Sequence, residues 1–515
     1  MDTFLGAVGE VSGLEVLAGE CCRRGSEFWE AGNFRAAATA WEKALELSPG
    51  LVDERVSLAL AYYQLGRQQD ALRHMRLALL HEPENERAHH CLGQIYYQME
   101  RFEDALQEYQ VALFLRQDEA LLYTDLGDAY YCLEEFEKAA EAYRRAANLQ
   151  SKDSYAHFWL GWSLEKQNRT EEAVHAFLAA INTDPQWGEA YYALGRAYAT
   201  QGENAKALQK LRKAMELLPE EEEECRAGAL CELGNVLRAM QRSEEAVSYY
   251  QQALTIDPTH AATCFNLGLA YCDLEMHEEA FRQFALTKNL EPNNPSACCE
   301  LGVAYYSMGE YTRALDEYLE AIRLDPADSE ARVGRGMAFY ALGSYEEAVA
   351  EYQVAEQLAP EHPWIKFNLA LAFEGLGCFE QAEEWYRKTL LLEPDDSESL
   401  CGLSRSLLLQ EKGFEEALSL ARRATSLKAS NPECWDALAS ALSSFWRYPE
   451  ALEASKQAVA LEPDNPEFLL HMGYCYEGLG MLERACPFYE KALRLEPDYE
   501  EAHEALRRVE DLLGL

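Results

Sequence analysis

An all-α fold, a right-handed superhelical solenoid of antiparallel helix pairs, is predicted for this chain by three features of its sequence. The first is a ruler of prolines. Pro49, Pro83, Pro185, Pro219, Pro258, Pro292, Pro326, Pro360, Pro394, Pro463 and Pro497 stand 34 residues apart or near a multiple of it, as in 83 − 49 = 34. The second is a small residue that recurs at the same phase. If each unit is numbered so that this Pro is position 32, position 8 is Gly25, Ala59, Gly93, Gly127, Gly161, Gly195, Gly234, Gly268, Gly302, Gly336, Ala370, Ser404, Ala439 and Gly473. The third is a large ring near position 24, as in Trp41, Tyr109, Tyr143, Phe177, Tyr250 and Phe284, with Ala at position 20 from Ala37 to Ala485. A fixed period of this length signals stacked two-helix units, each too small to bury its own apolar face.

The elements follow in order. Helix A is expected over about positions 1–14 and helix B over about 18–31. Small residues at 8 and 20 let the two helices approach, while rings at 11 (Phe28, Tyr62, Tyr96, Tyr130) and 24 fill the space beside them. Gly or Glu at position 15 marks the turn between them, and the Pro at 32 stops helix B. Pro295, Pro363, Pro432 and Pro466 fall at position 1, where a helix loses no hydrogen bond to proline. Fourteen units run from Ala18 to Asp498, interrupted by Glu220–Glu224 and by one residue near Gly413. Residues 499–515 are expected to form a capping helix, with His503 and Leu506 at helical spacing, and 1–17 a short N-terminal segment or cap.

These positions resemble the tetratricopeptide repeat (TPR), over nearly the whole chain. The resemblance implies a protein-binding scaffold whose concave groove is lined by helix A, chiefly at positions 2, 5, 9, 12 and 13. It implies neither enzyme activity nor a cofactor. The carboxylate clamp of some members is similar to Lys at 5 and Asn at 9, Asn at 6 of the next unit, then Lys at 2 and Arg at 6 of the third. Here Asn235 and Asn266 match, but Cys231, Ser296 and Glu300 stand where cations are required, and Glu300 would repel a carboxylate. The family's other large members are similar to two further uses: a structural, homodimeric subunit of a large assembly, and a targeting arm fused to a glycosyltransferase. With about 17 residues on each side of the array, a fused enzyme is not expected. Its Asn ladder at position 6 is present only as Asn266 and Asn368.

Charge narrows the partner class. Lys+Arg number 46 against 89 Asp+Glu, a net charge of −43, which repels nucleic acid and anionic membrane and favours basic segments of proteins. Part of this acidity is helix chemistry. Pairs such as Glu134–Glu135, Glu171–Glu172, Glu244–Glu245, Glu278–Glu279 and Glu346–Glu347 fall where helix B begins, against the positive end of its dipole. No basic leader precedes an apolar run at the N-terminus and no apolar stretch is long enough to span a bilayer, so a cytoplasmic location without membrane insertion is expected. The 15 cysteines are scattered along helices. Cys264 and Cys298 fall on successive A helices, too far apart for short zinc–sulfur bonds, so no metal site is expected.

The groove positions supply the candidate site. Tyr155, Phe158 and Trp162 occupy positions 2, 5 and 9 of the fifth unit, Tyr192 and Arg196 positions 5 and 9 of the sixth, and Tyr63, Tyr97 and Tyr131 repeat at position 12. Rings along a groove are either partner anchors or packing between neighbouring A helices, and both readings stand at this point. Further along, the same positions turn acidic: Glu330, Glu374, Glu398, Glu433, Asp436, Glu467 and Glu477, with Arg405 the lone cation. The sequence therefore predicts a scaffold holding a protein or extended peptide, with the structural subunit as the alternative.

Overall fold

The computed structural model describes residues 2–514, with side chains from Leu14 onward. Among the described residues there are 29 helices and no strand. After the first pair the pattern is regular. Helix A occupies positions 1–13 and helix B positions 17–30, as in Val52–Gln64 with Gln68–His81 and Ser154–Lys166 with Thr170–Thr183. Chain contacts divide the molecule into two compact halves, 1–263 and 264–515.

Each boundary has a local cause. The turn between A and B places position 15 in the left-handed region in every repeat, with Gly32, Gly66 and Gly202 at φ 71–73° and Glu100, Asn168 and Trp446 at 57–59°. Glycine meets that conformation without cost, and the other residues there are held by the paired helices on either side. Helix B stops one residue before the expected position. The residue after helix B leaves the helical region whether or not a Pro follows, as Ser48 (φ −141°, ψ 90°) before Pro49 and Arg116 (φ −144°, ψ 99°) before Gln117 show. In several repeats helix A opens on an Asx cap at position 34, while Leu51, Glu119, Trp187 and His362 hold that place without a side-chain cap. Asp153 accepts from the Ala156 amide, Asn294 from Ala297 and Asp396 from Ser399.

The core of each repeat is the contact of position 8 with position 24. A Cβ added to Gly93 would lie 2.5 Å from the ring of Tyr109; the same holds for Gly161 against Phe177 and Gly336 against Tyr352. In three repeats position 24 is smaller and position 8 carries a side chain, Ala59 with Met75, Ser404 with Ala421 and Ala439 with Ser455; Ala370 with Tyr386 and Gly195 with Leu211 depart from this exchange. Ala at 20 is sealed, with Ala37, Ala139 and Ala485 at 0% exposure. Position 27 is buried too, and where it is Thr the hydroxyl donates back to the helix, Thr287 to the Gln283 carbonyl at 2.9 Å. Gly93→Ala should therefore cost about 1–3 kcal/mol by overpacking. Adding Tyr109→Met, which copies the Ala59–Met75 pairing, should restore most of it in a urea titration; no rescue would show that the ring is not what the methyl meets.

Three departures are local. The first helix is a single run, Asp2–Glu30, so the segment expected as a separate cap continues helix A of the first repeat. The acidic insertion divides: Glu223 and Glu224 begin the longer helix Glu223–Ala239, capped at Glu222, and Glu220 lies in the turn before it. In the twelfth repeat Glu411 and Gly413 both take positive φ, which absorbs the extra residue. At the other end Glu500–Leu513 lays Ala502, Ala505 and Val509 on Leu469, Leu470 and Tyr489.

Candidate binding groove

In the N-terminal half the position-12 tyrosines are half-buried and pack forward. Tyr97 meets Phe102 edge-on at 5.4 Å and Tyr131 meets Phe136 at 5.4 Å and Trp159 at 5.0 Å. Tyr63 lines a cavity with Tyr97. Tyr155 is the exposed ring, 42% accessible, and its hydroxyl lies 3.3 Å from Asp128. Asp128 also accepts from the Tyr143 hydroxyl at 2.6 Å. Burial pushes its carboxyl up to about 6, although the tyrosine hydrogen bonds oppose that rise.

Phe158 requires a correction. It is 6% exposed, enclosed by Trp187 at 4.5 Å, Trp159 at 5.5 Å, Phe177 at 6.0 Å and Trp162 at 6.2 Å. Its position on the helix was right for the groove, but Trp187, in the loop before the next helix A, folds over it. Phe158 is core, and no face is left for a partner. Trp162 is half-buried and edge-on to Phe177 at 6.0 Å. The Arg196 guanidinium sits 4.3 Å above its ring and donates to Glu165 at 2.7 Å. Tyr192 reaches across to the next repeat, where Gly228 leaves room: a Cβ there would lie 2.9 Å from its hydroxyl oxygen. Burial raises the Glu232 carboxyl, opposed by Asn235 and Arg196. Trp159, Trp187 and Glu165 were missed from sequence. Glu165 at position 12 was legible, since position 12 was already named as groove-lining.

The acidic C-terminal groove is more nearly neutral than its sequence implies. Glu374 is paired with Arg405, Glu398 with Lys428 at 3.2 Å, and Glu477 with Arg508 at 2.8 Å. Tyr386 and Tyr489 donate to Glu374 and Glu477 at 2.7 and 2.9 Å. Asp436 is 6% exposed and accepts from His471 Nδ1 at 2.8 Å, so it is not a surface acid. That contact drives His471 up to about 9, against its own burial and with Glu467 assisting and Arg405 opposing. Arg405 is therefore not the lone cation: Lys428 and His471 come from positions outside the set considered, and Arg508 holds position 9 of the capping helix, beyond the last unit. Glu330, Glu433 and Glu467 stay exposed, and partial burial with neighbouring Glu398 and Glu467 raises Glu433.

Two rules emerge that the period makes inevitable. An Arg at position 9 reaches a Glu at position 12 of the repeat before it, three times: Arg196–Glu165, Arg405–Glu374 and Arg508–Glu477. Positions 5 and 6 of successive repeats likewise form a His–Asp pair, as His90–Asp125 and, with the roles exchanged, Asp436–His471.

Two residue sets could hold a metal among the described residues: Glu189, Glu222 and Cys225, and Asp436, Glu467 and His471, each with ligand atoms within 4.8 Å. In the second, His471 as an imidazolium already supplies the charge Asp436 needs. Cys264 and Cys298 belong to neither set and are buried, as are Cys91, Cys231, Cys401, Cys434 and Cys475. No helix among the described residues is long and apolar enough to cross a membrane.

Comparison with known families agrees with the geometry. Models described as tetratricopeptide repeat match residues 22–85, 124–186, 160–222 and 299–363, then 227–260, and also 339–400 and 447–509; one described as TPR repeat matches 93–133. The chain belongs to the tetratricopeptide-repeat family, and a protein-interaction role is the coarse reading that membership gives. No curated protein matches it. Among solved structures, it is similar to the APC/C hetero-tetramer Cut9-Hcn1 at 16% identity, covering 96% of both chains with a TM-score of 0.43. It is also similar to YrrB, described as a TPR protein with an unusual peptide-binding site, at 24% identity over 37% of this chain and 96% of that one, TM-score 0.31. Yeast Tom70 matches at 16% identity over 84% and 96%, TM-score 0.36.

Proposed function

We propose that this chain is a non-enzymatic cytoplasmic scaffold that holds a protein or extended peptide, basic in character, along the helix A face of its N-terminal half. One observation supports this reading above the others. Tyr155, Trp162, Tyr192 and Arg196, from adjacent A helices, keep part of their surface open after the neighbouring repeats have packed. Rings and arginine in that state are the side chains from which binding anchors are built, since their desolvation yields more than rim charges do. The reading of basic partners rests on the net charge of −43, and the cytoplasmic one on free cysteines throughout the described residues.

Capture of partners on the immobilised chain, repeated with Tyr155→Ala/Tyr192→Ala, tests it. The double variant keeps helix content and should lose a partner whose affinity falls at least tenfold. A partner retained equally by both forms would place binding elsewhere. Glu433→Gln should alter only the on-rate of a basic partner, and slightly, because that field is screened by salt. Sedimentation at micromolar concentration separates the scaffold from a homodimeric structural subunit, which would run at twice the mass of 58.3 kDa.

A further inference from the structure

A second feature of the N-terminal groove lies on the repeat just before the aromatic stripe. Asp125 and Asp128, three residues apart on the helix Ala120–Cys132, share one face. They close one side of a 450 Å³ cavity whose other walls include Tyr63, Tyr97, Gln94 and Gln98. Asp125 receives His90 Nε2 at 2.6 Å and the Gln94 amide at 3.0 Å. Asp128 receives only neutral hydroxyls, those of Tyr143 at 2.6 Å and Tyr155 at 3.3 Å. No Lys, Arg or His lines the cavity. Asp125 is thus paired with His90 as Asp436 is with His471, whereas Asp128 accepts only from hydroxyls, unlike Glu374 and Glu477 of the C-terminal groove, which meet Arg405 and Arg508.

We propose that the cavity between Tyr63, Tyr97, Asp125 and Asp128 is a subsite for an arginine side chain carried by the segment bound in the groove. The inference rests on the groove reading above and adds the chemistry of one contact. A guanidinium is planar and weakly hydrated, so it stacks on a tyrosine face while its N–H groups meet carboxylates on the rim. A lysine ammonium is more strongly hydrated and would gain less from the rings. The volume lies within the range of side-chain and small-ligand pockets. Asp128, desolvated by burial, is the group with most to gain from a cation.

The probe is Ac-Gly-Arg-Gly-NH2, with the citrulline peptide as its neutral isostere and agmatine as a free guanidinium. Saturation-transfer NMR on the full chain should show contact at the arginine Cγ and Cδ protons. The citrulline peptide should bind at least tenfold more weakly. Asp128→Asn keeps the hydroxyl contacts and size, and Asp125→Asn the Gln94 contact. Each should weaken the arginine peptide about tenfold, without change in circular dichroism. Equal binding of arginine and citrulline, or no loss in Asp125→Asn/Asp128→Asn, overturns the proposal. Agmatine binding more tightly than the peptide overturns the peptide-borne source and leaves a site for a small cation. A partner lost on Tyr155→Ala/Tyr192→Ala but indifferent to the aspartate variants refutes this subsite and leaves the groove standing. The converse result refutes the groove.

Discussion

Phe158→Ala is expected to cost about 3–5 kcal/mol of local stability, the range for emptying a buried aromatic position. Its ring is the hub that Trp159, Trp162, Phe177 and Trp187 all touch, and those four would each lose a face. Hydrogen exchange should show lost protection in Ser154–Lys166 and Thr170–Thr183, with distant repeats unchanged, because repeats couple to their neighbours rather than to the whole. Trp162→Ala should behave differently. Its ring is half in solvent, so the stability loss should be smaller, about 2 kcal/mol, while a partner anchored on the stripe should lose about 2 kcal/mol or more of affinity. The Arg196–Glu165 pair survives that substitution because it does not depend on the ring. Equal stability losses in the two variants, with unchanged partner affinity, would mean that Trp162 is packing as well.

The pairing of His471 with Asp436 sets the second large effect, a stability that depends on pH. His471 titrates near 9 in the fold and near 6.5 unfolded, so the charged form is the one the fold favours. The raised value means the contribution is fully present below about 6.5 and is lost as pH rises through about 9. A shift of that size corresponds to about 3 kcal/mol. The groups facing His471 are Asp436, Glu467 and Arg405, with the Tyr474 ring at 6.3 Å. Urea unfolding followed by exchange in Pro432–Ser444 and Pro466–Gly478 should therefore weaken from pH 6.5 to 9. Asp436→Asn/His471→Gln should flatten the profile, since neither charge then remains. A flat profile in the unsubstituted chain would rule out the imidazolium–carboxylate pair.

Much of the architecture was legible because it is one-dimensional. A period fixes which residue of one repeat meets which residue of the next, so Pro at 32, the small residue at 8 and the ring at 24 located the helices to within a residue or two, apart from the longer starts of Asp2–Glu30 and Glu223–Ala239. The size exchange between positions 8 and 24, Gly93 against Tyr109 but Ala59 against Met75, emerged only in the structure and is not universal, since Ala370 stands with Tyr386 and Gly195 with Leu211. Helix B ends one residue early in repeats with and without the Pro, at Leu47 before Ser48–Pro49 and at Leu115 before Arg116–Gln117, so the repeat and not the proline alone sets that end.

The groove was less legible, and for a physical reason. Helical spacing gives the face on which a side chain starts, but not what later covers it. Phe158 begins on the groove face and is closed off by Trp187, which comes from a loop that no helical period describes. Glu374, Glu398 and Glu477 are acidic by composition but are neutralised by Arg405, Lys428 and Arg508, a match that depends on side-chain reach between repeats. Asp125 and Asp128 looked like two more acids in a chain with 89 of them; what sets Asp128 apart is that its hydrogen bonds come from the hydroxyls of Tyr143 and Tyr155, while Asp125 is met by His90. The sequence by itself determined the repeat, its helices and its core, because those follow from local periodicity and volume. Only the tertiary structure decided which groove groups remain available, because availability depends on the residues that neighbouring repeats and loops bring over them.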